Sequence, residues 1–188
     1  GKVARQQTQG EIQLPLSDLG AVALDYKGRA GIATSIGHAP QAAIVDPAAG
    51  SVLAIAESLT NIVFAPMTDG LQGISLSANW MWPCKNPGED ARLYKAVEAC
   101  SDFAGERGVN IPTGKDSLSM TQKYGEENVY SPGTVIISDA GEVKKIRKIV
   151  YPVLADINGT YLYYIDFSFD SFNLGGFAFA HTMSKLGE

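Results

Sequence analysis

The sequence predicts an α/β (α+β) fold: a mixed sheet packed by helices, followed by the start of a second α/β domain. Three observations carry this reading. Two long stretches, Asp46–Pro66 and Pro87–Gly108, repeat apolar residues at helical spacing. Short β-rich runs bounded by Gly, Pro, Asn and Asp stand before, between and after them. The character of the chain then changes near Val150, where Pro152, Asp156, Asn158 and Gly159 read as a linker.

Residues 1–13, GKVARQQTQGEIQ, are polar and irregular and read as a flexible lead-in. Leu16–Tyr26 is β-rich and ends at the turn Lys27-Gly28-Arg29, after which Arg29–Ser35 continues as a second strand. Gly37–Pro40 reads as a loop and Ala42–Val45 as a short apolar strand. In Asp46–Pro66, Asp46 suits an N-cap, Pro47 suits the first helical position, and Pro66 ends the run. Val52, Ile55, Leu59, Ile62 and Val63 are expected to face the core.

Met67-Thr68-Asp69-Gly70 is a turn, Leu71–Asn79 a strand, and Trp80–Gly88 a loop holding two prolines. The second helix is expected to bury Leu93, Ala96, Val97, Cys100 and Phe103. Glu89 and Asp90 complement its dipole, and Gly108 stops it. Val109–Ile111 restarts a strand, and Pro112–Gln122 reads as a glycine-lysine loop turning into a strand. Tyr124–Asn128 is a hairpin tip and Thr134–Ser138 an apolar strand. Asp139–Val150 reads as a strand followed by a helical turn. Thr160–Phe167 is a further strand, and Asn173–Gly187 a glycine loop opening a helix. The expected division is a lead-in over 1–13, a main domain over 14–150, and a truncated following domain over 151–188.

Composition excludes several functions. The chain has 188 residues, 45% hydrophobic and 19% charged, which suits one ordinary globular core. Net charge is −5 with no long basic run, so neither nucleic acid nor an anionic membrane is expected as a partner. No run of about 18 apolar residues is present to span a bilayer. Two cysteines, Cys84 and Cys100, are too few for a disulfide scaffold or a four-cysteine zinc site, and a reducing cytoplasm fits. The two histidines, His38 and His181, have no Ser, Cys or carboxylate at a telling spacing. A Ser-His-Asp or Cys-His device therefore has nothing to rest on.

Four groups of residues carry possible chemistry. Asp18, Glu57 and Asn61 supply oxygen ligands, the kind a hard cation such as Mg²⁺ takes. Glu57 and Asn61 are four apart on one helix face. Asp18 meets them only if its strand packs on that helix, and the alternative is a solvated face or a Glu capping a neighbouring strand. Gly114-Lys115-Asp116-Ser117 can hold phosphate through backbone N–H groups, Lys and Ser, although the GxxxxGK[ST] pattern is absent and a hairpin start uses the same residues. Asn79-Trp80-Met81-Trp82 places two tryptophans where they either flank a ligand or cover the core. Leu174-Gly175-Gly176 either admits a phosphate to a helix N-terminus or makes a tight turn.

Taken together, Asp46–Ser51 with Ala56–Ile62, Leu76–Met81 (LSANWM), Asn86–Tyr94 (NPGEDARLY) and Ile111–Met120 (IPTGKDSLSM) resemble the phosphoribosylformylglycinamidine synthases, or FGAR amidotransferases, of the large single-chain type. Order and spacing agree along most of the chain. The SANWM and GKDSLSM runs disfavour other synthetases and kinases of the same superfamily, such as selenophosphate synthetase or thiamine-monophosphate kinase.

The resemblance implies the fold of the aminoimidazole ribonucleotide synthetase N-terminal domain, here as the first domain of the second synthetase half. It implies the ATP-dependent conversion of formylglycinamide ribonucleotide and glutamine to formylglycinamidine ribonucleotide, with ammonia from a glutaminase domain outside this sequence. An isolated piece is then expected to be inactive and to self-associate, because first domains of the family pair through their strands. The implied cofactors are Mg²⁺ and ATP or ADP. Family magnesium ligands fall on Asp18, Glu57 and Asn61, a nucleotide contact falls on Ser17 through its backbone, and Gly114, Lys115, Asp116 and Ser117 fall near phosphate or nucleotide. The family has a working nucleotide site and an auxiliary one that holds ADP structurally, and both assignments are open for these residues.

Overall fold

The computed structural model describes residues 2–6, 8–9, 12–15, 18–27, 29–144, 153–157 and 160–164. In chain order the elements are β1 (Val3–Arg5), β2 (Thr8–Gln9), β3 (Leu14–Pro15), β4 (Leu19–Ala23), β5 (Gly31–His38), α1 (Pro40–Val45) and α2 (Pro47–Ile62). A single 3₁₀ turn, Gly70–Gly73, leads into β6 (Ile74–Met81). Then come α3 (Glu89–Arg107), β7 (Asn110–Ser117), β8 (Thr121–Tyr124), β9 (Glu127–Tyr130), β10 (Thr134–Val143), β11 (Val153–Ile157) and β12 (Thr160–Tyr164). Six strands form one mixed sheet in the order β1-β4-β5-β10-β6-β7. All neighbours are antiparallel except β6 and β7, which are parallel and joined through α3, as a parallel pair requires a crossover.

The sheet has one covered face. Along β5 the residues alternate, with Gly31, Ala33, Ser35 and Gly37 buried and Ile32, Thr34, Ile36 and His38 exposed. α2 lies on the buried side against β5 and β10, and α1 and α3 pack on α2. The core between the layers includes Leu19, Ala33, Ile55, Ile62, Leu76, Cys100, Val135 and Ile137. The other face is open. Register sets Ile36, Ser138, Ser77 and Thr113 in one row across it, and His38, Ile136, Asn79 and Lys115 in the next.

α2 starts as its sequence predicts. Asp46 is the N-cap, its Oδ1 accepting from the Ala48 N–H at 2.9 Å, and Pro47 opens the helix. Its buried stripe differs from the expected one. Gly50, Ser51, Ala54, Ile55, Ser58 and Ile62 are buried, while Val52 and Leu59 are half-buried and Val63 follows the last turn. The stripe is made of small residues because α2 sits unusually close to β5. A Cβ on Gly37 would collide with the Ala54 carbonyl and the Ser58 N–H, so this position needs glycine.

Several other expectations are corrected. Ala42–Val45 is the end of helix α1, not a strand, since Pro40 supplies a helix start. Gly37 and His38 belong to β5 rather than a loop. Within the polar lead-in, Val3–Arg5 adds an edge strand to β4, where unpaired backbone groups call for a partner. The Pro112–Gln122 segment is not a loop at its start. Gly114–Ser117 lie in edge strand β7, and a Cβ on Gly114 would strike the Ala78 carbonyl. Pro112 is tolerated there because β7 is an edge. Trp80 and Met81 continue β6, and β10 runs on through Asp139 to Val143. In α3, Ala96, Cys100 and Ala104 are buried, but Val97 is 42% exposed. Val153–Ile157, read as linker, is a strand paired with Thr160–Tyr164. The helical turn expected before Val150, and the glycine loop and helix of 173–187, lie outside the described residues, as does His181.

Candidate functional site: an oxygen-ligand pair at the end of β5

β4 starts at Leu19, opposite Ser35, so among the described residues the edge of β5 from Ile36 to His38 has no strand beside it on that side. Glu57 and Asn61 fill this gap from α2. The Glu57 Oε2 accepts the His38 N–H at 2.6 Å, and the Asn61 Nδ2 donates to the Ile36 carbonyl at 2.8 Å. One turn of helix thus satisfies two backbone groups of β5 that a neighbouring strand would otherwise pair. Each side chain keeps one oxygen, Glu57 Oε1 and Asn61 Oδ1, with no further hydrogen bond among the described residues. Asp18 immediately precedes β4. One more step of the Leu19–Ser35 register places it level with Ile36.

Asp18 also lines a hollow of about 820 Å³ on the open face, with Thr34, Ile36, Ser77, Thr113 and Ser138. Glu57 and Asn61 are therefore together, and Asp18 is brought to the neighbouring strand position. Ser17 lies outside the described residues. Gly114–Ser117 are not brought to this place. β10 and β6 stand between β5 and β7, a separation of roughly 14 Å at ~4.8 Å per strand. Lys115 bonds within its own strand, its Nζ 2.8 Å from the Ser117 Oγ. Beside it in register, the Asn79 Oδ1 is buried without a partner among the described residues. Trp82 is 1% exposed, with its Nε1 donating to the Glu89 Oε2 at 2.8 Å, so this tryptophan covers the core. No group of three or more His, Cys, Asp or Glu among the described residues is placed to hold a metal. A cation at Glu57 and Asn61 therefore takes further ligands from elsewhere, as magnesium commonly does from phosphate and water.

Behind this pair is a polar cluster that the pattern of the sequence did not bring forward. Asp139 on β10 is 3% exposed, Ser35 5% and Ser58 0%. The Asp139 Oδ1 accepts the Ser35 N–H at 2.6 Å. The Ser35 Oγ is 2.8 Å from Asp139 Oδ2 and 2.6 Å from the Ser58 carbonyl, and the Ser58 Oγ is 2.7 Å from the same Oδ2. The Ser35 hydroxyl has one hydrogen to divide between the Ser58 carbonyl and the carboxyl oxygen, while the Ser58 hydroxyl gives its own to the carboxyl. Burial pushes the Asp139 carboxyl up from the ordinary range, against the pull of the Ser58 and Ser35 hydrogen bonds. Two signals for the cluster exist in the sequence: an Asp inside the apolar run TVIISDAGEV, and Ser58 on the helical stripe of Ile55 and Ile62.

Both thiols are poor nucleophiles. Burial pushes Cys100 up to about 11. Cys84 is raised by burial first and then by Asp90, Glu89 and Asp116.

Fold and site define a mixed α/β domain with an oxygen-donor pair at a strand end. The chain belongs to the family of FGAR-AT PurM_N-like domains, whose profile matches residues 1–142. It is 42% identical to human phosphoribosylformylglycinamidine synthase over 189 residues, covering 100% of this chain and 14% of that protein's length. A structure of Thermotoga maritima PurL complexed with ATP superposes with a TM-score of 0.54 at 20% identity, covering 72% of this chain and 22% of the other. T. maritima PurL complexed with FGAR gives 0.53 at 21% identity, over 74% and 21%. At these identities the two structures speak for the fold.

Proposed function

We propose that this chain contributes magnesium-nucleotide binding to a phosphoribosylformylglycinamidine synthase, as the first domain of its second synthetase half. The remaining synthetase domains and the glutaminase lie elsewhere in the protein, and the setting is the cytoplasm. The observation that carries the reading is the Glu57–Asn61 pair. Its backbone bonds to β5 fix both side chains and leave one oxygen of each without a hydrogen bond among the described residues, with Asp18 at the strand position next to Leu19. An oxygen-only donor set of two carboxylates and an amide suits Mg²⁺ carrying a nucleotide, whose phosphates complete the coordination. Mg²⁺ bound there neutralises polyphosphate charge. The protein groups would orient it, and Ser17, outside the described residues, would serve the nucleotide. Gly114, Lys115, Asp116 and Ser117 serve phosphate or nucleotide at the far side of the sheet, where Lys115 offers a cation.

The isolated chain is inactive as a synthetase and self-associates through the open sheet face, where Val22, Ile32 and Ile36 are 44–47% exposed. Light scattering at rising concentration tests this, and a monodisperse monomer overturns it.

The decisive experiment titrates full-length protein with Mn²⁺ and ADP. Glu57→Gln and Asn61→Leu are each expected to weaken binding at least about tenfold. Unchanged affinity in both sinks the assignment. The same variants separate the family's two nucleotide roles. A fall in kcat at unchanged Tm marks a working site, and a fall in Tm with kcat kept at saturating ATP marks a structural one.

A further inference from the structure

We propose that Asp139 is a positioning residue for the Glu57–Asn61 pair, acting through Ser35 and Ser58 without touching a ligand. The inference rests on the metal-site reading for its functional consequence and on geometry for its mechanism.

Four consecutive residues of β5 are tied to α2. Ser35 meets the Ser58 carbonyl, Ile36 meets Asn61, Gly37 lies flat against Ala54 and Ser58, and His38 meets Glu57. The outer ties, at Ile36 and His38, are made by exposed or half-buried side chains. Exposed side-chain bonds to a strand edge compete with water and are weak on their own. The inner ties are buried, and the side chains of the Ser35–Ser58 tie both meet one carboxyl. Asp139 takes the backbone N–H and the hydroxyl of Ser35 from β5 and the hydroxyl of Ser58 from α2, so it joins three elements at one point. Ser58 is the residue after Glu57 and one helical turn from Ala54 and Ile62. Fixing its height over Ser35 fixes how far along β5 the next residues reach. A shift of α2 by one residue's rise, about 1.5 Å, takes Glu57 off the His38 N–H. Gly37 permits the close approach but cannot hold a register, because a glycine contact is non-directional. The directional bonds are those of Asp139.

The test reads the His38 amide by NMR in this ¹⁵N-labelled chain, and Mn²⁺ affinity in the full-length protein. Asp139→Asn keeps the acceptor for the Ser35 N–H and puts an N–H₂ where the serine hydroxyl oxygens can accept. It is expected to leave the His38 amide shift and Mn²⁺ affinity near those of the parent. Asp139→Val, or Ser58→Ala where the former folds poorly, is expected to move the His38 amide, raise its exchange rate about tenfold and weaken Mn²⁺ about tenfold. Ile55→Val is the control, since Ile55 is fully buried on the same helix but belongs to no polar contact. It lowers stability and is expected to leave His38 unmoved. The proposal is overturned if His38 stays in place in both disruptive variants, or moves equally in Ile55→Val. If Mn²⁺ binding in the parent does not depend on Glu57, the metal reading fails while the amide still decides the positioning role.

Discussion

At the residue scale, the most consequential side chain is a buried acid whose charge the fold disfavours. With its pKa raised on folding, Asp139 holds more proton in the native state than in the unfolded state between its ordinary value and the raised one. Over that window stability falls as pH rises. The cost of the charged form is absent below about pH 4 and fully present above the native pKa. Asp139→Asn removes the titration while keeping the hydrogen-bond frame. Urea unfolding from pH 4 to 8 should therefore show the variant gaining on the parent with rising pH, and a constant difference would contradict the assignment. Asp139→Val has the opposite character. It leaves the Ser35 N–H and two hydroxyls without their acceptor in the core, at about 1–3 kcal/mol for each group left unpaired. Asp46 sets a smaller scale: Asp46→Ala removes the bond to the Ala48 N–H and should lower stability by about 1 kcal/mol, measured by chemical unfolding.

At the element scale, the fit of α2 on β5 decides the site, and Gly37 is its most sensitive point. Gly37→Ala puts a methyl group into helix backbone, not against a flexible side chain. Relief requires α2 to lift, so the expected loss is about 1–3 kcal/mol together with the His38 and Ile36 bonds. Thermal unfolding and the His38 amide report both, and an unperturbed amide would show that α2 yields elsewhere. This fit also marks the limit of what the sequence displayed. The N-cap at Asp46, the start at Pro47 and the Glu57–Asn61 pairing were legible because they depend on neighbours within one turn. The strand-capping role of Glu57 stood in the sequence as one alternative, and the structure bears it out. What was not legible depends on partners far along the chain. Ser35 and Asp139 are 104 residues apart, and nothing local says that the Asp opening the strand read over Asp139–Val150 is buried against Ser35 and Ser58. Gly114 read as a loop residue for a similar reason. Its glycine is required by the backbone of β6 across the sheet, a contact that local turn statistics do not contain.

At the scale of the molecule, the question is how much chain the domain needs. Among the residues whose burial is described, the buried cluster falls between Leu19 and Val143. The six-stranded sheet is complete once β10 pairs with β5 and β6 on either side, and the family match ends at residue 142. β11 and β12 pair only with each other among the described strands. A hairpin that shares no ladder with the main sheet adds little to its cooperativity, because stability follows buried apolar area and backbone pairing. We therefore predict that a chain ending at Lys144 folds by itself. It should unfold in a single cooperative transition with a Tm within a few degrees of the 188-residue chain, and with a similar dependence on urea, since the slope follows the surface exposed. The cut removes none of the described strands of the open face, so self-association should persist as well. A truncated chain with no transition, or with a much shallower one, would place part of the core's support beyond residue 144. The domain boundary would then have to move into the β11–β12 hairpin.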